Sequence, residues 1–307
     1  MMSQFLPSAI SLSSARQVTR SLNGMVNSKV PWTLASEAFT LERVAALKGD
    51  TTVAVIIPAK NEAATIGSVL DSVLVHDQLI DELIVVSDHS GDDTATVADH
   101  HGARVVRLER STGKGAAMSA GVASSTSTIL AFLDADILNT TPDYVARLIQ
   151  PLLERPATQL VKGFYERPLH NMPTGGGRVN ELTARPILSL LFPGLGEIRQ
   201  PLAGETAVRR SALESITLEP DYGVEIALLI DVAQRFGVHA LAQVDLGIRR
   251  HRNRPLEDLR PMAVEVLHAA LERYKVDVPN EGSELLDARV GTEDDDNAVT
   301  RRARDWS

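Results

Sequence analysis

The stretch that decides the fold is Thr128 to Asp136, TILAFLDAD, in which an apolar run ends at two aspartates. A run of about five apolar residues predicts a strand buried in the core. Because side chains two apart on an extended chain point to the same side, Asp134 and Asp136 should project together from the carboxyl end of that strand. Ligands bind at that end of an open α/β sheet, and one or two carboxylates plus phosphate oxygens suit Mg²⁺ there. Alternatively, both aspartates cap the next helix, together with Asn139 and residues 140–142.

Apolar runs alternate with helical patterns on the N-terminal side of this strand. Strands are predicted at 53–57, 82–86, 104–108 and 128–133, with a later one at 244–248. Helices are predicted at 62–74, 93–101 and 114–124. This alternation is typical of βαβ units and a parallel sheet, so the fold class is α/β. With right-handed crossovers, the turns that follow the strands meet at one edge of the sheet.

Length and charge restrict the class of protein. The chain has 307 residues, a mass of 33.2 kDa and a formal net charge of −9, which favours one large α/β domain and argues against a nucleic-acid-binding surface. It contains no cysteine, as suits a protein of the reducing cytoplasm. No apolar run reaches the ~18 residues of a membrane span, and the N-terminus lacks the pattern of a signal peptide. We therefore expect a cytoplasmic protein without a membrane partner.

Three turns at the predicted sheet edge carry groups that suit a nucleotide. In Pro58-Ala59-Lys60-Asn61-Glu62, the proline fixes the backbone and the alanine leaves a flat surface for a base, although an ordinary strand-to-helix turn is equally consistent. The polar groups of 87–94 either close the turn itself or receive a ribose. Thr112-Gly113-Lys114-Gly115 lacks the spacing of a P-loop. It is either a plain turn or a lysine that contacts a diphosphate at a helix N-terminus.

The second half of the chain adds further polar motifs. The glycines 175–177 precede Arg178 and an apolar helical pattern, so backbone N–H groups and a guanidinium form an anion site or, alternatively, a flexible loop with a solvated arginine. Downstream lie 200–205 (QPLAGE), 222–226 (YGVEI) and 249–256 (RRHRNRPL). His251, in the last of these, either completes a metal shell or is a surface imidazole.

Together these motifs resemble the nucleotide-sugar-binding half of a GT-A type glycosyltransferase. The strings IIPAKNE, DHSGDDT, GKG and LDAD occur in the order and spacing of that family. The strings GGGRV, QPLAGE, YGVEI and HRNRPL resemble, more narrowly, the glucosyl-3-phosphoglycerate synthases of actinobacteria, relatives of the mannosyl-3-phosphoglycerate synthases. The resemblance covers residues 53–259. It implies a GT-A fold, with a Rossmann-like, mainly parallel central sheet flanked by helices and a C-terminal acceptor-binding region.

The resemblance also implies roles for individual residues. The residues implied to bind the nucleotide sugar are Pro58, Ala59, Glu62, Ser87, Lys114, Asp134, Tyr222, Glu225 and Arg249. The residues implied to bind the acceptor are Gly177, Arg178, Val179, Asn180 and Asn253, and those implied to bind metal are Asp136 and His251. The implied catalytic residues are Lys114, Asp134, Asp136 and Glu225. This chain departs from the family at Asn180, where members carry threonine, and in a shorter approach to the G-K-G turn. The acceptor contacts and the loop over the donor therefore stay open.

The implied activity is retaining, metal-dependent transfer of glucose from a nucleoside diphosphate glucose, UDP-glucose first, to 3-phosphoglycerate. Mg²⁺ or Mn²⁺ is the implied cofactor. A homodimer is the implied assembly, and residues 186–195 pack either on a partner or in the core. One alternative is a mannosyl enzyme using GDP-mannose. Another is a non-catalytic nucleotide-sugar sensor, which the presence of Asp134, Asp136 and Arg178 disfavours. A nucleotidylyltransferase would carry Gly-x-Gly-x-Arg after the first strand, which this chain lacks.

This assignment divides the chain into four segments. Residues 1–50 are predicted to be an N-terminal lead-in and 51–150 the nucleotide-sugar-binding half. Residues 151–280 are predicted to be the acceptor-binding and metal-completing half, and 281–307 a flexible tail of mixed charge.

Overall fold

A computed structural model describes residues 31–35, 39–169, 172–175, 177–250 and 256–274. Its strands are β1 (Trp32–Leu34), β2 (Val53–Ala59), β3 (Glu82–Asp88), β4 (Arg104–Leu108), β5 (Ile129–Phe132), β6 (Leu160–Glu166), β7 (Pro168–Leu169), β8 (Met172–Gly175), β9 (Thr206–Arg209) and β10 (Leu241–Ile248). Its α-helices are α1 (Leu41–Lys48), α2 (Ile66–Leu74), α3 (Thr94–His100), α4 (Lys114–Ala123), α5 (Asp143–Glu154), α6 (Arg185–Leu191), α7 (Arg210–Leu213), α8 (Val224–Phe236) and α9 (Leu256–Arg273). Short helical turns lie at Asp77–Leu79, Asn180–Ala184, Leu195–Glu197 and Val238–Ala240.

Eight strands form one sheet in the order β1-β10-β6-β9-β5-β2-β3-β4. Neighbouring strands are parallel, except that β9 is antiparallel to both β5 and β6. Strands β7 and β8 form a separate antiparallel pair. The predicted mainly parallel sheet is confirmed, and the predicted strands and helices agree with the observed ones to within a few residues at their ends.

Strand β2 shows why its sequence is a continuous apolar run. Val53, Val55 and Ile57 pack into one core layer, whereas Ala54 and Ile56 pack into the other. All five side chains are completely buried. Because successive residues of a strand point to opposite faces and helices cover both faces, no polar alternation is present.

The strand order changes direction between β2 and β5. From β2 the chain adds β3 and β4 on one side and then returns to place β5 on the other side, where Ile56 pairs with Phe132. The carboxyl ends of β2 and β5 are therefore neighbours at a topological switch point, where open sheets bind ligands. The turn after β2 and the D-x-D pair after β5 thus lie at the same edge.

The two predicted halves of the chain share this sheet. Strand β9, from the second half, lies between β5 and β6 and pairs with both. The chain through Arg273 forms one compact unit, and of a second unit, which starts at Tyr274, only that residue is described. Residues 281–307, the predicted tail, lie outside the described residues.

The predicted lead-in, residues 1–50, contributes to the sheet and to the core where it is described. Strand β1 pairs with β10 at the sheet edge, with Trp32 opposite Ala242, and Val44 of α1 is completely buried. Three strand residues are too few to produce a recognisable pattern, because their place in the sheet depends on pairing with a strand some two hundred positions later in the chain. Within the described ranges, no helix is long and apolar enough to cross a membrane.

Candidate active site

A cavity of about 600 Å³ opens at the carboxyl edge of the sheet. It lies beside the switch point between β2 and β5. The predicted site residues that line it are Pro58, Ala59, Glu62, Lys114, Asp134, Asp136, Gly177, Arg178, Val179, Asn180, Tyr222, Glu225 and Arg249. The fold therefore brings most of the predicted donor and acceptor residues to one cavity.

Three predicted site residues are not among those described as lining this cavity. Ser87 is buried, and its hydroxyl donates to the hydroxyl of Ser90 at 3.1 Å. The next residue, Asp88, lines the cavity instead. Successive strand side chains point in opposite directions, which is why Asp88 faces the cavity and Ser87 does not. The nucleoside contact of Ser87 stays a prediction. His251 and Asn253 lie outside the described residues, and their roles stay predictions.

Lys114 joins two carboxylates at the start of α4. Its ammonium nitrogen is 2.7 Å from Asp134 and 2.5 Å from Glu225. Burial acts to lower the pKa of Lys114, but the two carboxylates outweigh it and raise the pKa above its usual value. Lys114 is therefore a permanent cation in the cavity wall.

Arg249 is 2% exposed and connects three carboxylates. Its Nη2 donates to Asp134 at 2.8 Å and to Asp136 at 2.9 Å. Its Nη1 lies 2.7 Å from Glu205 and donates to the Tyr165 hydroxyl at 2.8 Å. Burial opposes the charge of Arg249, but these anionic neighbours raise its pKa well above the usual value. Arg249, predicted as a ligand of the nucleotide sugar, is thus also the internal partner of the D-x-D pair.

The two aspartates differ in what they can still bind. Both carboxylate oxygens of Asp134 are engaged, one by Lys114 and the other by Arg249. Burial acts to raise the pKa of Asp134, but these two cations hold the pKa well below its usual range. The side chain of Asp136 is 35% exposed and lines the cavity. Asp136 is therefore the member of the pair that is accessible to a ligand.

The alternative that the aspartates cap the following helix is wrong. Their carboxylates bond side chains, and α5 begins only at Asp143. Asn139 is no cap either, because its side chain donates to the carbonyl of Ile248 and accepts from the N–H of Arg250. Asn139 instead connects the D-x-D turn to the end of β10.

Asp136 suits a divalent cation as one ligand among several. In the described part of the chain, no three Asp, Glu, His or Cys side chains cluster to hold a metal ion. A cation at Asp136 would therefore need phosphate or water oxygens, as Mg²⁺ usually takes, or a ligand from outside the described ranges.

The glycines around Lys114 allow close packing. Gly113 has a φ of +88°, and a Cβ at this position would lie 2.1 Å from a carboxylate oxygen of Asp221. A Cβ at Gly115 would lie 1.6 Å from the carbonyl oxygen of Glu219. The G-K-G motif is therefore more than a plain turn, because it admits the segment 219–221 that leads directly to Tyr222 and Glu225.

Gly204 allows a second close approach, at Asp134. A Cβ at this position would lie 2.0 Å from Asp134 Oδ1. The glycine of the Q-P-L-A-G-E motif thus lets the segment before β9 pack directly on the carboxylate.

The turns after β2 and β3 are bonded to each other. Asn61 has a φ of +58°, and its side-chain oxygen accepts from the N–H of Gly91 at 2.8 Å. The N–H of Glu62 donates to the Thr94 hydroxyl at 2.8 Å. The predicted helix begins at Ile66 rather than at Glu62, whose carbonyl accepts from the N–H of Ile66 at 2.9 Å. These bonds hold Pro58 and Ala59 at the cavity wall.

Asp88 holds the third turn in place. Its carboxylate accepts from the N–H of Thr112 at 2.7 Å, from the N–H of Gly113 at 3.3 Å and from the Ser111 hydroxyl at 3.1 Å. The carboxylate of the D-H-S-G-D-D-T motif therefore orders the approach to Lys114.

Four of the predicted acceptor residues, Gly177, Arg178, Val179 and Asn180, belong to the cavity lining. Gly177 has a φ of +70°, and Arg178 follows it in the lining. Asn180 is 2% exposed, and its side-chain amide donates to Glu181 at 2.9 Å and to the carbonyl of Arg199 at 3.3 Å. These bonds favour a structural role for Asn180, which holds the neighbouring Gly177 and Arg178 in place. The acceptor contact predicted for Asn180 itself stays a prediction.

Three functional candidates were missed from sequence: Arg167, Lys162 and Glu205. Arg167 lines the cavity, its guanidinium lies 5.3 Å from the centre of the Tyr165 ring, and its Nε is buried without a hydrogen-bond partner. Lys162 and Glu205 are buried, Glu205 lies 2.7 Å from Arg249, and Lys162 donates to the carbonyl of Ala203 at 2.6 Å. The sequence does carry a signal for such residues, namely a charged residue within an otherwise apolar strand-like run. A charged residue is rarely buried without a partner, so its presence in such a run indicates a specific role.

The chain matches the model of a known protein family and is similar to glucosyl-3-phosphoglycerate synthases. Residues 54–216 match the family described as glycosyl transferase family 2. The glucosyl-3-phosphoglycerate synthase of Mycobacterium tuberculosis (strain ATCC 25618 / H37Rv) is 44% identical over 272 residues, which cover 84% of this chain and 83% of the relative. The glucosyl-3-phosphoglycerate synthase of Petrotoga mobilis is 39% identical over 243 residues, which cover 74% and 75%.

Solved structures of the mycobacterial relative are similar to the present fold. Its complex with Mn²⁺, uridine-diphosphate-glucose and phosphoglyceric acid has a TM-score of 0.74 and 42% identity, over 81% of this chain and 89% of that chain. Its complex with Mg²⁺ and uridine-diphosphate has the same TM-score and identity, over 81% and 88%.

Proposed function

Because the chain belongs to glycosyl transferase family 2 and, within it, to the family of the glucosyl-3-phosphoglycerate synthases, we propose that it transfers glucose from UDP-glucose to 3-phosphoglycerate. The observation that carries this proposal is the single cavity at the switch point. It combines the D-x-D pair and Lys114 with the glycine–arginine segment 177–178. Donor and acceptor can therefore bind next to each other.

The donor binds at the carboxyl ends of β2 and β5. The base lies against Pro58 and Ala59, and the diphosphate lies between Lys114 and Asp136, all of which line the cavity. Glu225, held by Lys114 at 2.5 Å, faces the glucose together with Tyr222.

The acceptor is a small anion with a phosphate and a carboxylate. Because the protein has a net negative charge, cationic side chains must lie in the acceptor pocket itself. Arg178 and Arg167 both line the cavity. The two guanidiniums suit the two anionic groups of 3-phosphoglycerate, because guanidinium and carboxylate or phosphate form paired, charge-assisted hydrogen bonds.

Departure of UDP places negative charge on a phosphate oxygen. An ammonium group has three donors, of which two reach Asp134 and Glu225, so Lys114 can donate the third to that oxygen. A divalent cation at Asp136, Mg²⁺ or Mn²⁺, supplies further stabilisation of the charge. No separate acid for the leaving group is then required. Clamping of both anionic groups of the acceptor presents its hydroxyl to the anomeric carbon, so positioning supplies much of the rate.

A donor comparison with purified protein, 3-phosphoglycerate and Mg²⁺ or Mn²⁺ tests the activity. We expect turnover with UDP-glucose and much less with GDP-glucose or GDP-mannose. Appreciable turnover with GDP-mannose alone would establish the mannosyl alternative. Binding of UDP-glucose without turnover of any donor would establish the sensor alternative.

Retention of configuration is part of the proposal and rests on the family resemblance. The anomeric proton of the product, followed by NMR, should show an α linkage, as in UDP-glucose. A β-linked product would contradict it.

A homodimer and a cytoplasmic location complete the proposal. Of the segment 186–195, Ile187 and Leu188 pack in the core, whereas Leu190 is 81% exposed, as is Leu182 to 74%. Light scattering after size exclusion should give a dimer for the wild type and a monomer for Leu190→Glu. Val75→Glu, at another exposed apolar residue, is the control that should stay dimeric. A monomeric wild type would contradict the proposed dimer.

Cell fractionation tests the proposed cytoplasmic location, and the protein should be recovered in the cytoplasmic fraction.

A further inference from the structure

Lys162 is a buried cation that the proposed mechanism does not use. It lies on β6, is 2% exposed, and forms no ion pair within the described part of the chain. Its ammonium donates to one backbone carbonyl, that of Ala203, at 2.6 Å. A lysine is almost never fully buried without a carboxylate partner, and burial of its charge opposes folding. Stability therefore does not explain its presence.

The carbonyl that Lys162 holds belongs to a segment in direct contact with the site. Ala203 is followed by Gly204, where a Cβ would lie 2.0 Å from Asp134 Oδ1, and by Glu205, 2.7 Å from Arg249. This segment, residues 203–205, is also bonded to β6 through Glu205, whose carbonyl accepts from the N–H of Gly163 at 2.8 Å. A change at Lys162 would therefore displace the backbone that packs on Asp134 and the carboxylate that pairs with Arg249.

The surroundings of Lys162 are charged. Glu225, Lys114, Glu205 and Asp134 face it, and burial, the largest influence, lowers the pKa of Lys162 to about 8. Lys162 therefore loses its proton at a lower pH than an ordinary lysine does.

We propose that Lys162 is a positioning residue of the glucosyl transfer, which acts through residues 203–205 on Asp134 and Arg249. The proposal rests on the proposed function for its kinetic readout. It assigns Lys162 to the organisation of the donor site rather than to contact with substrate.

Lys162→Met tests this role, since methionine keeps the length of the side chain and removes the donor and the charge. We expect kcat to fall about tenfold or more, the effect of a small displacement of reacting groups, and the affinity for UDP-glucose to fall, while the KM for 3-phosphoglycerate changes little. The Tm should stay equal or rise because a buried charge is removed. Gln150→Met, at a completely buried polar residue of α5 that does not line the cavity, is the matched control and should change stability without this loss of kcat.

A pH profile separates positioning from a merely structural effect. The wild-type kcat should decline as pH rises through about 8, and this alkaline limb should be absent from Lys162→Met. Lys162→Arg, which keeps a charge at high pH, should recover part of the activity and move the limb upward. If Lys162→Met does not fold, the proposal is tested by the alkaline limb of the wild-type pH profile and by its upward shift in Lys162→Arg. Absence of both would overturn it.

Wild-type kcat and wild-type UDP-glucose affinity in a folded Lys162→Met would overturn the proposal. So would a loss of kcat that only follows a fall in Tm, as in the control. If the wild type itself does not transfer glucose, the proposed function fails, whereas calorimetry of UDP-glucose binding to wild type and Lys162→Met still tests Lys162.

Discussion

At the scale of single residues, the two aspartates of the D-x-D motif have different surroundings. Asp134 is enclosed by Lys114 and Arg249, whereas Asp136 shares Arg249 and remains a third exposed. The difference arises from the partners that other elements bring to each carboxylate. It supports the proposed metal site at Asp136 and leaves Asp134 as the partner of Lys114 and Arg249.

Asp136→Ala should therefore abolish turnover and remove the dependence of UDP binding on Mn²⁺, because the accessible carboxylate is lost. Calorimetry of UDP with and without the metal measures this. Asp99→Ala, at an exposed aspartate of α3, is the control and should behave as wild type. Metal-dependent UDP binding that survives in Asp136→Ala would place the metal elsewhere.

Arg167→Ala and Arg178→Ala should each weaken binding of 3-phosphoglycerate about tenfold or more, the usual effect of losing a hydrogen bond to a charged group. UDP binding should stay unchanged, since the role proposed for both residues is to bind the acceptor. The KM for 3-phosphoglycerate and calorimetry with UDP provide the two readouts, and Arg235→Ala, on the exposed surface of α8, is the control. Lost UDP binding with retained acceptor binding would reverse the assignment of the two pockets.

At the scale of elements, α9 holds the segment that carries part of the site. Arg273 bonds Glu219 at 2.8 Å and Asp231 at 2.8 Å, and Glu265 accepts from the N–H of Tyr222 at 2.9 Å. The segment 219–221 in turn packs against the glycines around Lys114. Helix α9 therefore supports Lys114, and its described side chains that line the cavity, Leu259, Met262 and Val266, are apolar.

The segment before β9 gives a sharp prediction at this scale. Gly204→Ala should lower activity about a hundredfold, because its Cβ would overlap the carboxylate of Asp134 and displace it by about an ångström. Steady-state kinetics measures the loss, and circular dichroism checks that the sheet is intact. Gly91→Ala is the matched control, since its Cβ would have its nearest neighbour at 3.9 Å. Equal activity of the two variants would contradict this prediction, because it would show that the segment before β9 can move away from Asp134 without loss of catalysis.

At the scale of the whole molecule, the site is an assembly of distant parts of the chain. Lys114, Asp134 and Arg249 are far apart in sequence yet form one network of ion pairs. They meet because a parallel sheet collects its strand ends at one edge and because β10 reaches that edge beyond β6 and β9. Folding of the entire sheet is therefore a condition for the charge balance of the site.

The stability of the sheet should decrease in acid partly through Glu82. Burial acts to raise the pKa of Glu82, but hydrogen bonds from Ser127, Thr126 and Ser125 outweigh it and lower the pKa from 4.5 to about 2. Because the folded pKa is the lower one, this stabilisation is complete above pH 4.5 and is lost as the pH falls towards 2. Glu82→Gln should have a lower Tm at pH 7 and a smaller fall of Tm between pH 5 and pH 3 than the wild type. Glu214→Gln, at an exposed residue, is the control, and a Glu82→Gln profile parallel to that of the wild type would contradict the role.

Local patterns alone determined the alternating strands and helices, the mainly parallel sheet, and the D-x-D and G-K-G turns at its edge. These depend on apolar runs and turn residues that act over a few positions. Only the tertiary structure decided that β1 joins the sheet and that Asp88 rather than Ser87 faces the cavity. It also decided that Arg249 pairs with both aspartates and Glu205, and that Lys162 is buried against the carbonyl of Ala203. The physical reason is that a buried charge obtains its role from partners brought together by strand pairing over long separations, and no local pattern records those partners.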